Sequence, residues 1–192
     1  MDLRSALRTI IATLVGIGLV VLIIILLVKA FSGGGAPANE VNVGKYGDTN
    51  ATATLLIDGP TNLDQDHRQV RISVSGTQNQ IDIISGYQGD IIKSQTYPNN
   101  SAAFTVFLQS LQLLGFSKGT RSTIDYRGYC PTGDRYLYSF SDDNSELFSY
   151  WSTSCGGQGT FRGNPPAVRS LFEDQVPQRD LVTLTGNTDV TL

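Results

Sequence analysis

Residues 9–28 read TIIATLVGIGLVVLIIILLV, twenty consecutive positions without a charge. As a helix rising about 1.5 Å per residue, this run reaches about 30 Å, the thickness of a bilayer's hydrocarbon core. A buried core helix seldom stays apolar on every face over such a length. The run therefore predicts a membrane span, with residues 9–30 as a transmembrane helix and the lipid bilayer as its partner through residues 9–28. A cleaved signal peptide is the rival reading, because small residues follow at 32–36. Its apolar region would be only about 7–15 residues long, and here Lys29 and Phe31 follow the run directly. An uncleaved anchor is the expectation. Ala12 and Gly16 form a small-xxx-small pair that would let a second helix approach, which is how the chain could act as a subunit of a membrane assembly.

Flanking charge sets the orientation. Arg4, Arg8 and the amino terminus precede the run, and only Lys29 follows closely. The positive-inside tendency then leaves residues 1–8 as a cytoplasmic tail and everything after the span outside the cell. The two cysteines, Cys130 and Cys155, both lie in that exported part. A pair suits a disulfide in an oxidising compartment. The net charge of −3 and pI near 5.0 disfavour a nucleic-acid partner, which calls for a basic face.

Residues 31–51 are rich in Gly, Ala and Asn and lack a sustained apolar period, so they read as a flexible linker. The folded domain then spans 52–192. Short apolar or alternating runs predict strands at 53–57, 69–75, 81–85 and 90–97, with Asp58-Gly59-Pro60 as a turn. Phe104, Phe107, Leu108, Leu111 and Leu114 make one apolar stripe of a helix over 101–114. Asn100 or Ser101 is a suitable N-cap, and Gly115 followed by Phe116 suits a Schellman ending. Strands are expected again at 122–129, 135–141 and 146–153. Asn164-Pro165-Pro166 reads as the cap and first turn of a second helix that Pro177 ends. The tail after 179 reads as a short edge strand or a loose end. Hairpin connections imply a mostly antiparallel sheet with two packed helices, an α+β domain.

The search for chemistry yields no catalytic constellation. His67 is the only histidine, set in Asp64-Gln65-Asp66-His67-Arg68. It could serve a hydrolase as a base, but no serine sits in a nucleophile elbow, and a polar loop is the plainer reading. Asp64 with Asp66, or Asp142, Asp143 and Glu146, could bind calcium, although neither set has EF-hand spacing. Catalytic residues, metals and cofactors are therefore expected to be none. The glycines at 156–159 lack the strand-to-helix setting of a phosphate loop. Asn50-Ala51-Thr52 and Asn99-Asn100-Ser101 match the N-glycosylation sequon. Aromatic residues crowd the 126–151 region. Core packing accounts for them, or else Tyr136, Tyr138, Tyr150 and Trp151 form an exposed platform for an envelope glycan or a protein partner.

Several stretches together carry a resemblance: DGP at 58–60 with HR at 67–68, GYQGDIIKSQTYPNNSAAFTVFL at 86–108, LLGF at 113–116, and WSTSCGGQGTFRGNP with LFEDQVP across 151–177. On these the domain resembles uncharacterised single-pass, membrane-anchored exported proteins of Saccharibacteria-type bacteria. The resemblance implies location and architecture and supplies no catalytic residues. The function expected from the whole sequence is a membrane-anchored extracytoplasmic domain acting as a cell-surface binding or structural module. An extracytoplasmic hydrolase of envelope polymer is the alternative.

Overall fold

Alternation of apolar and polar residues builds most of this domain. The computed structural model describes residues 40–121, 123–157 and 159–185. Six strands form one antiparallel sheet: β1 (Thr52–Asp58), β2 (Arg68–Ser75), β3 (Gln78–Ser85), β4 (Asp90–Pro98), β5 (Arg135–Asp142) and β6 (Ser145–Thr153). Their order across the sheet is β4-β3-β2-β1-β5-β6. Ala53, Leu55, Ile57, Val70, Ile72 and Val74 point to one face and are buried there. Three helices accompany the sheet: α1 (Ser101–Leu113), α2 (Pro165–Glu173) and α3 (Gln178–Thr185). The domain is thus α+β, and its described residues hold the two expected helices and a third, α3. Among the described residues no helix is long and apolar enough to cross a membrane. The expected span at 9–28, its flanks and the small-residue pair at 12 and 16 lie outside the described residues.

Helix α1 follows from local signals. The Asn100 side chain accepts from Ala103 N–H, which caps the helix start. Phe104, Phe107, Leu108 and Leu111 are its buried stripe. Gly115 (φ 77°) donates to Gln112 O and Phe116 to Leu111 O, the bond pair of a Schellman ending. That turn drives Phe116 into the core. Its ring lies 5.3 Å from Phe148, 5.7 Å from Phe172 and 6.4 Å from Tyr138. Asn164 caps α2 through Ala167 N–H, with the two prolines at the first helical positions.

Three expectations need correction. The linker assigned to 31–51 is folded from residue 40 onward. Val43 is fully buried in a 3-10 turn and donates its N–H to Gln112 Oε1, and Tyr46 meets Phe140 edge-on at 5.3 Å. These anchors are too widely spaced to make a period, so composition concealed them. Of the strand expected at 122–129, the described residues 123–129 form none. Tyr126–Gly128 forms a 3-10 turn whose start is capped by Asp125. The tail from Gln178 to Thr185 is helical, because Leu181 buries its side chain and Asp180 accepts a hydrogen bond from Tyr97 on β4.

The sheet face opposite the apolar strand residues carries a polar network. Arg71 donates to Asp82 Oδ2 through both Nε and Nη2, at 3.0 and 2.7 Å. Ser94 and Gln80 donate to Oδ1 at 2.6 and 2.8 Å. Burial alone would push the Asp82 carboxyl up. The bonds from Ser94, Gln80 and Arg71, with Arg71's charge, outweigh it and hold the group below its ordinary 3.8. A depressed folded-state value stabilises the fold above the unfolded value, and that stability is lost as pH falls through the folded one. Unfolding free energy should therefore decline on acidification below about 3.8. Chemical denaturation over a pH series should show a shallower decline for Asp82→Asn. Identical acid limbs would refute this role of Asp82.

Candidate functional site

One end of the sheet gathers the ends of β1 and β3 and the starts of β2, β4 and β5. Asp58, the last residue of β1, sits directly between Gln69 of β2 and Arg135 of β5 in the register. Its side chain turns away from the apolar face and is almost wholly buried. Two basic side chains flank it. His67 Nε2 lies 2.8 Å from Oδ1, and Arg135 Nε lies 3.1 Å from Oδ2. Both contacts are close, yet neither Asp58 Oδ1 nor Arg135 Nε gains a well-aligned hydrogen bond. The fork of Arg135 is otherwise occupied. Nη1 donates to Thr61 Oγ1 at 2.8 Å, and Nη2 donates to Gly59 O. The guanidinium therefore ties the Asp58-Gly59-Pro60 turn to β5.

His67 is not in a solvated loop, as the plainer sequence reading had it. Its side chain is fully buried. Nδ1 lies 3.2 Å from Pro60 O, and Gln69 Nε2 is 3.4 Å from Nε2. Tyr87, in the turn between β3 and β4, stacks on the ring at 4.1 Å and 14°. Tyr87 is held at two other points. Its N–H donates to Asp64 Oδ1 at 2.6 Å, its hydroxyl donates to Asn62 O at 3.0 Å, and that hydroxyl accepts from Asn62 N–H. Gly86 before it has φ 67°, and an added Cβ would come within 2.9 Å of Asp64 Oδ1.

A cavity of about 220 Å³ opens over this ion pair, with Asp58 and Arg135 at its base and Gln69, Tyr87, Tyr126 and Arg127 around it. Burial, then the charge of Asp58, pushes the Tyr126 phenol up, so it stays a neutral hydroxyl near pH 7. No serine or cysteine lines the cavity. His67 has both ring nitrogens engaged and no exposed surface, so it cannot reach a substrate as a general base.

The four aromatic residues considered as an exposed platform are instead buried: Tyr138 is fully enclosed, and Tyr136, Tyr150 and Trp151 are 8 %, 3 % and 8 % exposed. Tyr138, Tyr150 and their neighbours Phe116 and Phe148 pack as the core of β5 and β6. Strand alternation puts Tyr136, Tyr138 and Phe140 on one face of β5, and that face is lined by the core aromatics. Tyr136 and Tyr138 also line a second cavity of about 270 Å³ with Pro165, Pro166 and Arg169. Their hydroxyls are already committed there. Tyr136 accepts from Arg169 Nη1 at 3.2 Å, Tyr138 pairs with Ser152 Oγ at 3.1 Å, and burial pushes the Tyr138 phenol up to about 12.

Several of the remaining candidates have structural partners. Cys130 and Cys155 form a disulfide with Cα atoms 5.7 Å apart, in the usual range. Asp64 holds the Tyr87 turn, and Asp143 accepts from Asn50 Nδ2 at 2.8 Å. Asn99, the second sequon asparagine, spends its amide on Ser75 O and Asn79 Oδ1. Among the described residues no group of three or more His, Cys, Asp or Glu comes together. Sequence reasoning passed over Arg135, Gln69 and Tyr87 as site residues, and it counted Tyr126 only within the aromatic cluster. The pairing of Asp58-Gly59-Pro60 with His67-Arg68 was the signal nearest to this site. No protein-family model matches the chain, and no curated protein matches it.

Proposed function

We propose that the chain is a membrane-anchored extracytoplasmic binding or structural module, with residues 9–28 in the bilayer, the N-terminus cytoplasmic and the domain outside the cell. The uncharged twenty-residue run supports the anchor, and the Cys130–Cys155 bond suits an oxidising exterior. The observation that carries binding over hydrolysis is the character of the Asp58 cavity. It pairs an aromatic wall with polar groups, yet among the described residues Asp58 is the one carboxylate in its lining and is engaged by His67 and Arg135, so the paired carboxylates of a glycoside hydrolase are not assembled there.

Full-length chain in detergent should be retained on isolated cell-envelope polymer without releasing soluble fragments. Steady release of new reducing ends would overturn this reading in favour of a hydrolase. Placement is read separately in intact cells with a thiol reagent that does not cross membranes. Cys130 and Cys155 should label only after reduction, and labelling only after lysis would reverse the orientation.

A further inference from the structure

We infer that the cavity over Asp58 is a saccharide subsite, in which a neutral sugar ring stacks on Tyr87 and donates hydroxyls to Asp58 and Gln69. This deepens the binding reading above and rests on it. The first support is Tyr87 itself. It is 48 % exposed, although its ring is stacked on His67, its hydroxyl is bonded to Asn62 and its N–H to Asp64. A surface aromatic fixed at three points loses little freedom when a ligand lies on it, so stacking is not offset by ordering. An exposed aromatic face set beside polar groups suits the C–H face of a sugar.

The second support is the floor. Asp58 meets His67 through Oδ1 at 2.8 Å and Arg135 Nε through Oδ2 at 3.1 Å, which leaves its carboxylate lone pairs for a ligand that donates. An anion is disfavoured, because it would face that carboxylate. Arg135 cannot turn to an anion, since its fork is spent on Thr61 and Gly59. A cation is disfavoured by Arg135 below and Arg127 at the rim. What fits is a neutral group rich in hydroxyls. The third support is size. At about 220 Å³ the cavity lies below the roughly 300–1,000 Å³ of drug-sized sites and suits one small ring.

The test is calorimetric titration of the full chain in detergent with glucose, galactose, N-acetylglucosamine and its β-1,4-linked dimer, and with inorganic phosphate and ethylamine as charged probes. At least one saccharide should bind, and neither charged probe should. Tyr87→Ala should weaken binding about tenfold, Gln69→Ala should weaken it as well, and Tyr87→Phe should retain most of it. Melting curves identify a variant that has merely unfolded, in which case the other two decide. The subsite is overturned if no saccharide binds, if a charged probe binds instead, or if folded Tyr87→Ala and Gln69→Ala bind as the parent does. Retention on envelope polymer that survives Tyr87→Ala sinks the subsite and leaves the binding module standing. Loss of all retention by the parent chain sinks both.

Discussion

Arg135→Met is expected to lower the unfolding free energy by about 3–5 kcal/mol, the cost of stranding a buried charge. Arg135 is 1 % exposed and reaches three neighbours: Asp58 through Nε, Thr61 through Nη1 and Gly59 O through Nη2. Methionine replaces the stem and removes every donor. Asp58 then keeps only His67, Gly59 O loses its donor in a buried turn, and the exposed Thr61 loses its bond as well. Asp58→Asn alone should cost less, because a neutral amide leaves Arg135 two of its partners. Combining both changes should cost less than their sum, since the second removes the charge that the first strands. Denaturant unfolding followed by Trp151 fluorescence measures all three. Strict additivity, or a loss below about 1 kcal/mol for Arg135→Met, would show that Asp58 is solvated in the native state.

The same cluster shows where sequence reasoning stops. Helix α1 was legible to its last bond, because its cap, stripe and Schellman ending all lie within a few residues of one another. The six observed strands were legible from short apolar or alternating runs, which are also local, although the same reading expected a further strand before β5 where Tyr126–Gly128 forms a 3-10 turn. The order of the strands was not. β1 pairs with β5 across a gap that contains three strands and α1, so Asp58 and Arg135 face each other through a choice no spacing reports. Arg135 at a strand start reads as a solvated charge until that neighbour is known. Alternation likewise groups Tyr136 and Tyr138 without saying whether that face is covered. Tyr87 stood unremarked in Gly86-Tyr87-Gln88-Gly89, where the glycines announced a turn and concealed that its aromatic residue is clamped against the lone histidine. The fold's local half was therefore readable, while the candidate site, assembled from distant segments, was not.

Removing the disulfide with Cys130→Ser and Cys155→Ser should cost about 3–4 kcal/mol, from the denatured-chain freedom restored by opening a closed loop with a sequence separation of 25. The bond joins the segments that enter β5 and leave β6, at the end opposite their Asp143-Asn144 turn. It also fixes the loop from Tyr126 to Gly133, which forms one wall of the Asp58 cavity. In that loop Pro131 O accepts from Thr61 N–H at 2.7 Å, and Tyr129 packs on Trp151 at 5.0 Å. The packing beside the bond is close: a Cβ on Gly133 would come within 2.7 Å of Cys130 Sγ and 2.4 Å of Ser154 Oγ. Because Thr61 bonds both Pro131 and Arg135, the loop and the ion pair share a neighbour. Loss of the disulfide and Arg135→Met should therefore combine non-additively. Comparing denaturation midpoints of the bridged chain, the double serine variant and the triple variant tests both claims. An unchanged midpoint for the serine variant would show that the reduced denatured chain is already as restricted as the bridged one.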